Sequence, residues 1–126
     1  MADSLSPKIL LAEDDRTLAR ALELKLTGSG YAVTIAYDGG KAIDSLKNNH
    51  FDLVLLDLVM PVKDGFAVLA EKRAMGNTVP VIILSNLGQA EDEQKTKQLG
   101  AVGYLVKADH SLVEIIDYID RRLKRK

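Results

Sequence analysis

A chain of 126 residues with a formal net charge of −1 has the size of a single domain. At 47% apolar and 28% charged it has the balance of a globular protein, which argues against disorder. Its 17 basic and 18 acidic residues supply no general pull toward nucleic acid or anionic lipid, and the lack of cysteine excludes disulfide frameworks and thiolate metal sites.

The opening MADSLSPK lacks the apolar core of a signal peptide, and no apolar run approaches the roughly 20 residues of a membrane span. A soluble, cytoplasmic protein is expected, with residues 1–7 as a tail and 8–125 as the domain. Ile9–Ala12 is the first near-continuous apolar run and reads as a strand buried on both faces. Leu18, Ala21, Leu22, Lys25 and Leu26 follow at helical spacing. Val33–Ala36 is a weaker, partly polar strand suited to a sheet edge. After the turn Asp38-Gly39-Gly40, Lys41–Asn49 reads as a helix with Ala42, Ile43 and Leu46 on one side. Leu53–Leu56 is the most hydrophobic strand. Asp64 is placed to cap a helix containing Phe66, Val68, Leu69 and Lys72.

Val79–Leu84 is a fourth apolar strand. Gln89–Gln98 is polar, with Leu87, Ala90 and Leu99 as its few anchors; as a helix it would be thinly docked and mobile. Val102–Val106 reads as a fifth strand, and Leu112, Ile115, Ile116, Ile119 and Leu123 stripe a final helix. The terminal RRLKRK (121–126) suits the negative end of a helix dipole. Alternation of strand and helix five times predicts an α/β fold: a parallel sheet in the flavodoxin-like order 2-1-3-4-5, with helices on both faces. In such a sheet, ligands bind at the carboxyl ends of the strands.

Those ends collect chemistry. Strand 1 runs into Glu13-Asp14-Asp15, strand 3 into Asp57, strand 4 into Ser85-Asn86 and strand 5 into Lys107. Singly these are ordinary caps, turn residues or solvated charges. Jointly they are costly: two like charges at about 4 Å repel by roughly 1 kcal/mol in water and about 4 kcal/mol at an effective dielectric of 20. A hard divalent cation would offset this, and Mg²⁺ suits a shallow site with few carboxylates and retained waters. A carboxylate beside such a cation is a candidate nucleophile toward phosphorus.

The sequence resembles the receiver domain of two-component response regulators over about residues 8–125. ILLAEDD (9–15) is similar to the family's first strand and acidic pair, and LVLLDLVMPVKDG (53–65) to its phosphoacceptor segment. VIILSN (81–86) is similar to the strand ending in Ser or Thr, and GAVGYLVK (100–107) to the strand carrying an aromatic residue and Lys.

The resemblance implies that Asp57 accepts a phosphoryl group from a histidine kinase or a histidine phosphotransfer protein. It implies that Asp57, Asp14, Glu13 (through water) and the Val59 backbone carbonyl hold Mg²⁺, with Mn²⁺ as a substitute. Ser85 and Lys107 would bind the phosphoryl oxygens, and Tyr104 would turn inward as Ser85 moves. The fourth helix, fifth strand and fifth helix would signal to a downstream protein or effector domain. The domain would be no conventional enzyme, though it would autophosphorylate and slowly dephosphorylate. It would be a monomer or a weak phosphorylation-dependent dimer, with no direct contact to nucleic acid or membrane. No effector domain is expected within this chain, which would be either a stand-alone receiver or a fragment of a larger regulator.

Two positions depart from the family pattern. Asn86 stands where a small residue is usual, and Lys107-Ala108 replaces Lys-Pro, leaving open whether that bond is cis or trans. Val59 and Leu87 flank the route of the attacking water in this resemblance. Being apolar they cannot orient it, so self-dephosphorylation should be slow. A haloacid dehalogenase-type phosphatase would need a second acid where Val59 stands. A receiver-fold binding module not controlled by phosphorylation is the remaining alternative.

Overall fold

The computed structural model describes residues 6–123; the calls on the first five tail residues and on the last three basic ones lie outside the described residues. Five strands, β1 (Lys8–Ala12), β2 (Ala32–Ala36), β3 (Leu53–Leu56), β4 (Val81–Ser85) and β5 (Gly103–Val106), form one parallel sheet in the order β2-β1-β3-β4-β5. Five α-helices alternate with them: α1 (Arg16–Gly28), α2 (Gly39–Asn48), α3 (Gly65–Ala74), α4 (Ala90–Gln98) and α5 (Leu112–Leu123). The expected fold and strand order are therefore present.

Every residue of β3 and β4 is buried, which is why these segments read as unbroken apolar runs. Side chains of successive strand residues alternate between two cores. Leu10, Val54, Leu56 and Ile83 pack with α2 and α3 residues such as Ile43, Leu46, Val68 and Leu69. Ile9, Leu11, Leu53, Leu55 and Ile82 pack with Leu22 and Leu26 of α1 and Ile115 and Ile119 of α5. β2, at the edge, is only partly covered. The Tyr31 hydroxyl donates to Asp120, tying the α1–β2 corner to α5.

Four of the five helices start on side-chain caps; α4 has none. Asp15 Oδ1 accepts from the amides of Thr17 (3.0 Å) and Leu18 (3.1 Å), and Asp38 and Asp64 accept from Lys41 (2.7 Å) and Ala67 (2.8 Å). Ser111 and Glu114 cap α5 reciprocally, each side chain accepting from the other's backbone amide.

Boundaries differ from the sequence expectations where local chemistry decides them. Helix α2 begins at Gly39 instead of Lys41, directly behind the Asp38 cap. β4 begins at Val81 instead of Val79, because Pro80 has no N–H and the Val79 amide is taken by Asn77 Oδ1. β5 begins one residue late, at Gly103. Ala90, expected as an anchor of α4, is exposed, and Thr96 is that helix's buried residue. Polar ties hold α4 to its neighbour: Arg73 Nη1 donates to the Gln98 carbonyl (2.6 Å), and the Lys95 ammonium sits 4.4 Å from the Phe66 ring centre.

Candidate functional site

At the carboxyl ends of β1 and β3 the chain leaves the sheet carrying Glu13 and Asp57. The Glu13 amide donates to the Ala36 carbonyl (3.0 Å) and the Asp57 amide to the Ala12 carbonyl (3.0 Å), so sheet hydrogen bonding extends one residue past each strand. This fixes the two acidic side chains side by side. Glu13, Asp14 and Asp57 each offer an oxygen within 4.8 Å of the others. Glu13 and Asp57 are only 1% and 4% exposed, whereas Asp14 faces solvent.

Lys107 arrives from the end of β5 and spans this pair. Its Nζ lies 2.8 Å from Glu13 Oε1 and 2.9 Å from Asp57 Oδ2. Among the described residues no peptide bond is cis, so Lys107–Ala108 is trans, within a 3₁₀ turn over Lys107–Asp109. The departure from Lys-Pro thus leaves the ammonium at the acids. Glu13 Oε2 also accepts from the Asp15 amide (3.0 Å), and Asp57 Oδ1 from the Val59 amide (3.3 Å). Among the described residues no buried side-chain polar atom lacks a partner.

The charges do not cancel. Burial pushes the Glu13 carboxyl above its ordinary range; hydrogen bonds from Lys107 and Asp15 pull it back, and the Asp57 charge pushes it up again. Burial pulls the Lys107 ammonium down, but its bonds to Glu13 and Asp57 outweigh this and hold it above its ordinary value. Both shifts mean that the cluster retains protons. It is short of positive charge, and its donors are all hard oxygens. The residues present therefore fit Mg²⁺.

Ser85 is fully buried at the end of β4. Its Oγ accepts from the Leu87 amide (3.3 Å), and the Leu87 carbonyl accepts from the Tyr104 hydroxyl. Ser85 and Tyr104 are thus joined through one backbone residue, a link the sequence did not reveal. Tyr104→Phe should cost about 1 kcal/mol in urea unfolding and speed hydrogen exchange of the amides of 86–90; unchanged exchange would exclude the clamp. Asn86 is exposed, Leu87 is half-buried, and Val59 is 58% exposed beside the acids.

Sequence reasoning overlooked the loop that carries Val59. Val62 has φ +71° and is 77% exposed, and the Lys63 amide donates back to the Pro61 carbonyl (2.8 Å). This is a γ-turn of the rare positive-φ kind, centred on a β-branched residue. Its signal was the Pro-x-x-Asp-Gly spacing, which says turn but not hand. Val62→Asn should stabilise the fold by about 1 kcal/mol, read as a higher urea midpoint, because asparagine tolerates this conformation.

Comparisons with known proteins bear on the fold and the family. The family model for the response regulator receiver domain matches residues 9–119. The transcriptional regulatory protein PrrA of Mycobacterium tuberculosis is 38% identical over 121 residues, 96% of this chain and 52% of that protein. The transcriptional regulatory protein DltR of Streptococcus agalactiae is 34% identical, over 86% of this chain and 50% of its own length. The chain thus spans about half the length of these curated relatives. Among solved structures, the receiver domain of the Francisella response regulator 1452 superposes with a TM-score of 0.88 at 33% identity, covering 95% of this chain and 98% of that one. The phosphorylated cyanobacterial phytochrome response regulator RcpA gives 0.85 at 28%, covering 95% of each.

Proposed function

The chain belongs to the response regulator receiver domain family, and from that premise we propose that it is a phosphorylation switch whose acceptor is Asp57. The observation that carries this reading is the Lys107 ammonium held against both Asp57 and Glu13 at the mouth of the sheet. In the transfer, an Asp57 carboxylate oxygen forms a bond to phosphorus as the donor's P–N or P–O bond breaks. The donor is a phosphohistidine on a histidine kinase or phosphotransfer protein, or a small acyl phosphate. Lys107 then binds a phosphoryl oxygen, and the Ser85 hydroxyl turns from the Leu87 amide to donate to another.

Glu13, Asp14, Asp57 and the Val59 carbonyl would hold Mg²⁺. When bound, it neutralises charge on the transferred group. As Ser85 turns, Leu87 loses its partner and the Tyr104 hydroxyl loses its hold on a fixed carbonyl. The signal then passes to the face of α4, β5 and α5, which meets a downstream protein or effector domain.

The test is incubation with acetyl phosphate and Mg²⁺, read by intact mass and peptide mapping. One phosphoryl group should appear on Asp57, and no mass gain there would exclude the reading. The product should persist for minutes or longer, because Val59 and Leu87 cannot align an attacking water. A half-life of only seconds would contradict that role, and Val59→Asn should shorten the lifetime.

A further inference from the structure

Pro61, Val62 and Lys63 rest against the first turn of α2. The Gly39 amide donates to the Pro61 carbonyl (3.3 Å), the same oxygen that closes the γ-turn. A methyl group on Gly39 would overlap the Lys63 carbonyl oxygen and stand 2.6 Å from Lys63 Cβ and 2.7 Å from its carbonyl carbon. On Gly40 it would stand 3.1 Å from Val62 Cγ1. Neither glycine has positive φ, so neither is needed for its own backbone. Within a helix, alanine would be the better residue. What demands glycine at 39 is the loop lying on top of it.

That loop has no slack. On its far side Asp64 caps α3, and a methyl on Gly65 would overlap the Asp57 carbonyl oxygen and sit 2.7 Å from Leu58 Cα. Lys63 is also tied to Glu71 by an ion pair. A push on Lys63 therefore cannot be absorbed toward α3. It must travel back through Pro61, whose φ is fixed, and Met60, which is buried, to Val59.

We infer that Gly39, on a turn that supplies no reacting group, is a positioning residue for the phosphorylation loop: its bare Cα seats the strained γ-turn and so sets the Val59 carbonyl at the metal site. The inference rests on the metal reading above, and its test separates the two. Mg²⁺ alone is titrated by NMR into the wild type, Val62→Gly, and Gly39→Ala in the Val62→Gly background, where the relaxed turn can yield to the methyl and the chain folds. Gly39→Ala should weaken Mg²⁺ binding about ten-fold or more relative to Val62→Gly, the scale typical of groups that orient metal ligands. It should also shift the amides of Val59 and Met60. Gly40→Ala, which meets the Val62 side chain and the Asp38 cap oxygen but no loop backbone, should weaken binding less, and Val62→Gly should return most of it. Equal affinity with and without the Gly39 methyl overturns the inference. If the wild type binds no Mg²⁺, the metal reading falls instead; unshifted Val59 and Met60 amides would then overturn the positioning role as well.

Discussion

Lys107→Met should cost the metal-free protein about 3 kcal/mol in urea unfolding, near the lower end of the range for removing one partner of a buried pair. The variant leaves Glu13 and Asp57, both nearly inaccessible to solvent, without the ammonium that bridges them. The loss should depend on pH, with a definite sign. The Glu13 carboxyl is already raised by burial, so between its ordinary and its folded value the native state binds more protons than the unfolded chain. Stability then falls with rising pH: Glu13's contribution is present below about 4.5 and lost as pH climbs through the folded value. Without Lys107 that decline should steepen, making the variant weaker relative to wild type near pH 8 than near pH 5. About 10 mM Mg²⁺ should return much of the loss, since a cation binding only the folded state adds stability by mass action. A cost under about 1 kcal/mol at neutral pH would mean that the bridge contributes little to the fold.

Asp57→Asn should act in the opposite direction, raising metal-free stability by about 1 kcal/mol while abolishing the mass gain with acetyl phosphate. The carboxamide keeps the shape of the carboxylate and leaves Lys107 its bond to Glu13. What disappears is one of two buried negative charges sharing one ammonium. Adding Mg²⁺ should narrow the difference or reverse it, because wild type gains a ligand that the variant lacks. The two substitutions touch one network and should not add: in the double variant, Asp57→Asn should recover more than it gains alone. A clear drop in stability for Asp57→Asn would sink the account of a site crowded with negative charge.

The sheet was legible because burial on both faces forces β3 and β4 into unbroken apolar runs. The acidic corner was legible because Glu13, Asp57, Ser85 and Lys107 each stand at the carboxyl end of a strand, and parallel strands deliver those ends to one edge. The depth of the site was not. A shallow site was expected, yet Asp57 is nearly inaccessible; the Lys107 bridge that makes such burial tolerable joins strands far apart in sequence. Hydrophobicity also misassigned Ala90 and Thr96. The threonine is buried because its hydroxyl bonds back to the Glu93 carbonyl, which hides its polarity. Lys72, read in the sequence only as part of α3, is buried there, and its ammonium reaches the Asn77 carbonyl (2.9 Å). The strain at Val62 and the seat at Gly39 left no trace, because each is defined by a contact between two turns.

The thin docking of α4 has a thermodynamic consequence. Inverting a two-state population from 1:99 to 99:1 takes about 5.5 kcal/mol of differential binding. A helix sunk by several leucines would resist displacement by more than a single new substituent can supply. In the proposed switch, helix α4 would give up one buried threonine, one guanidinium–carbonyl bond and one ammonium–ring contact. On that proposal, displacing α4 should cost little enough for the few hydrogen bonds of one phosphoryl group to drive it.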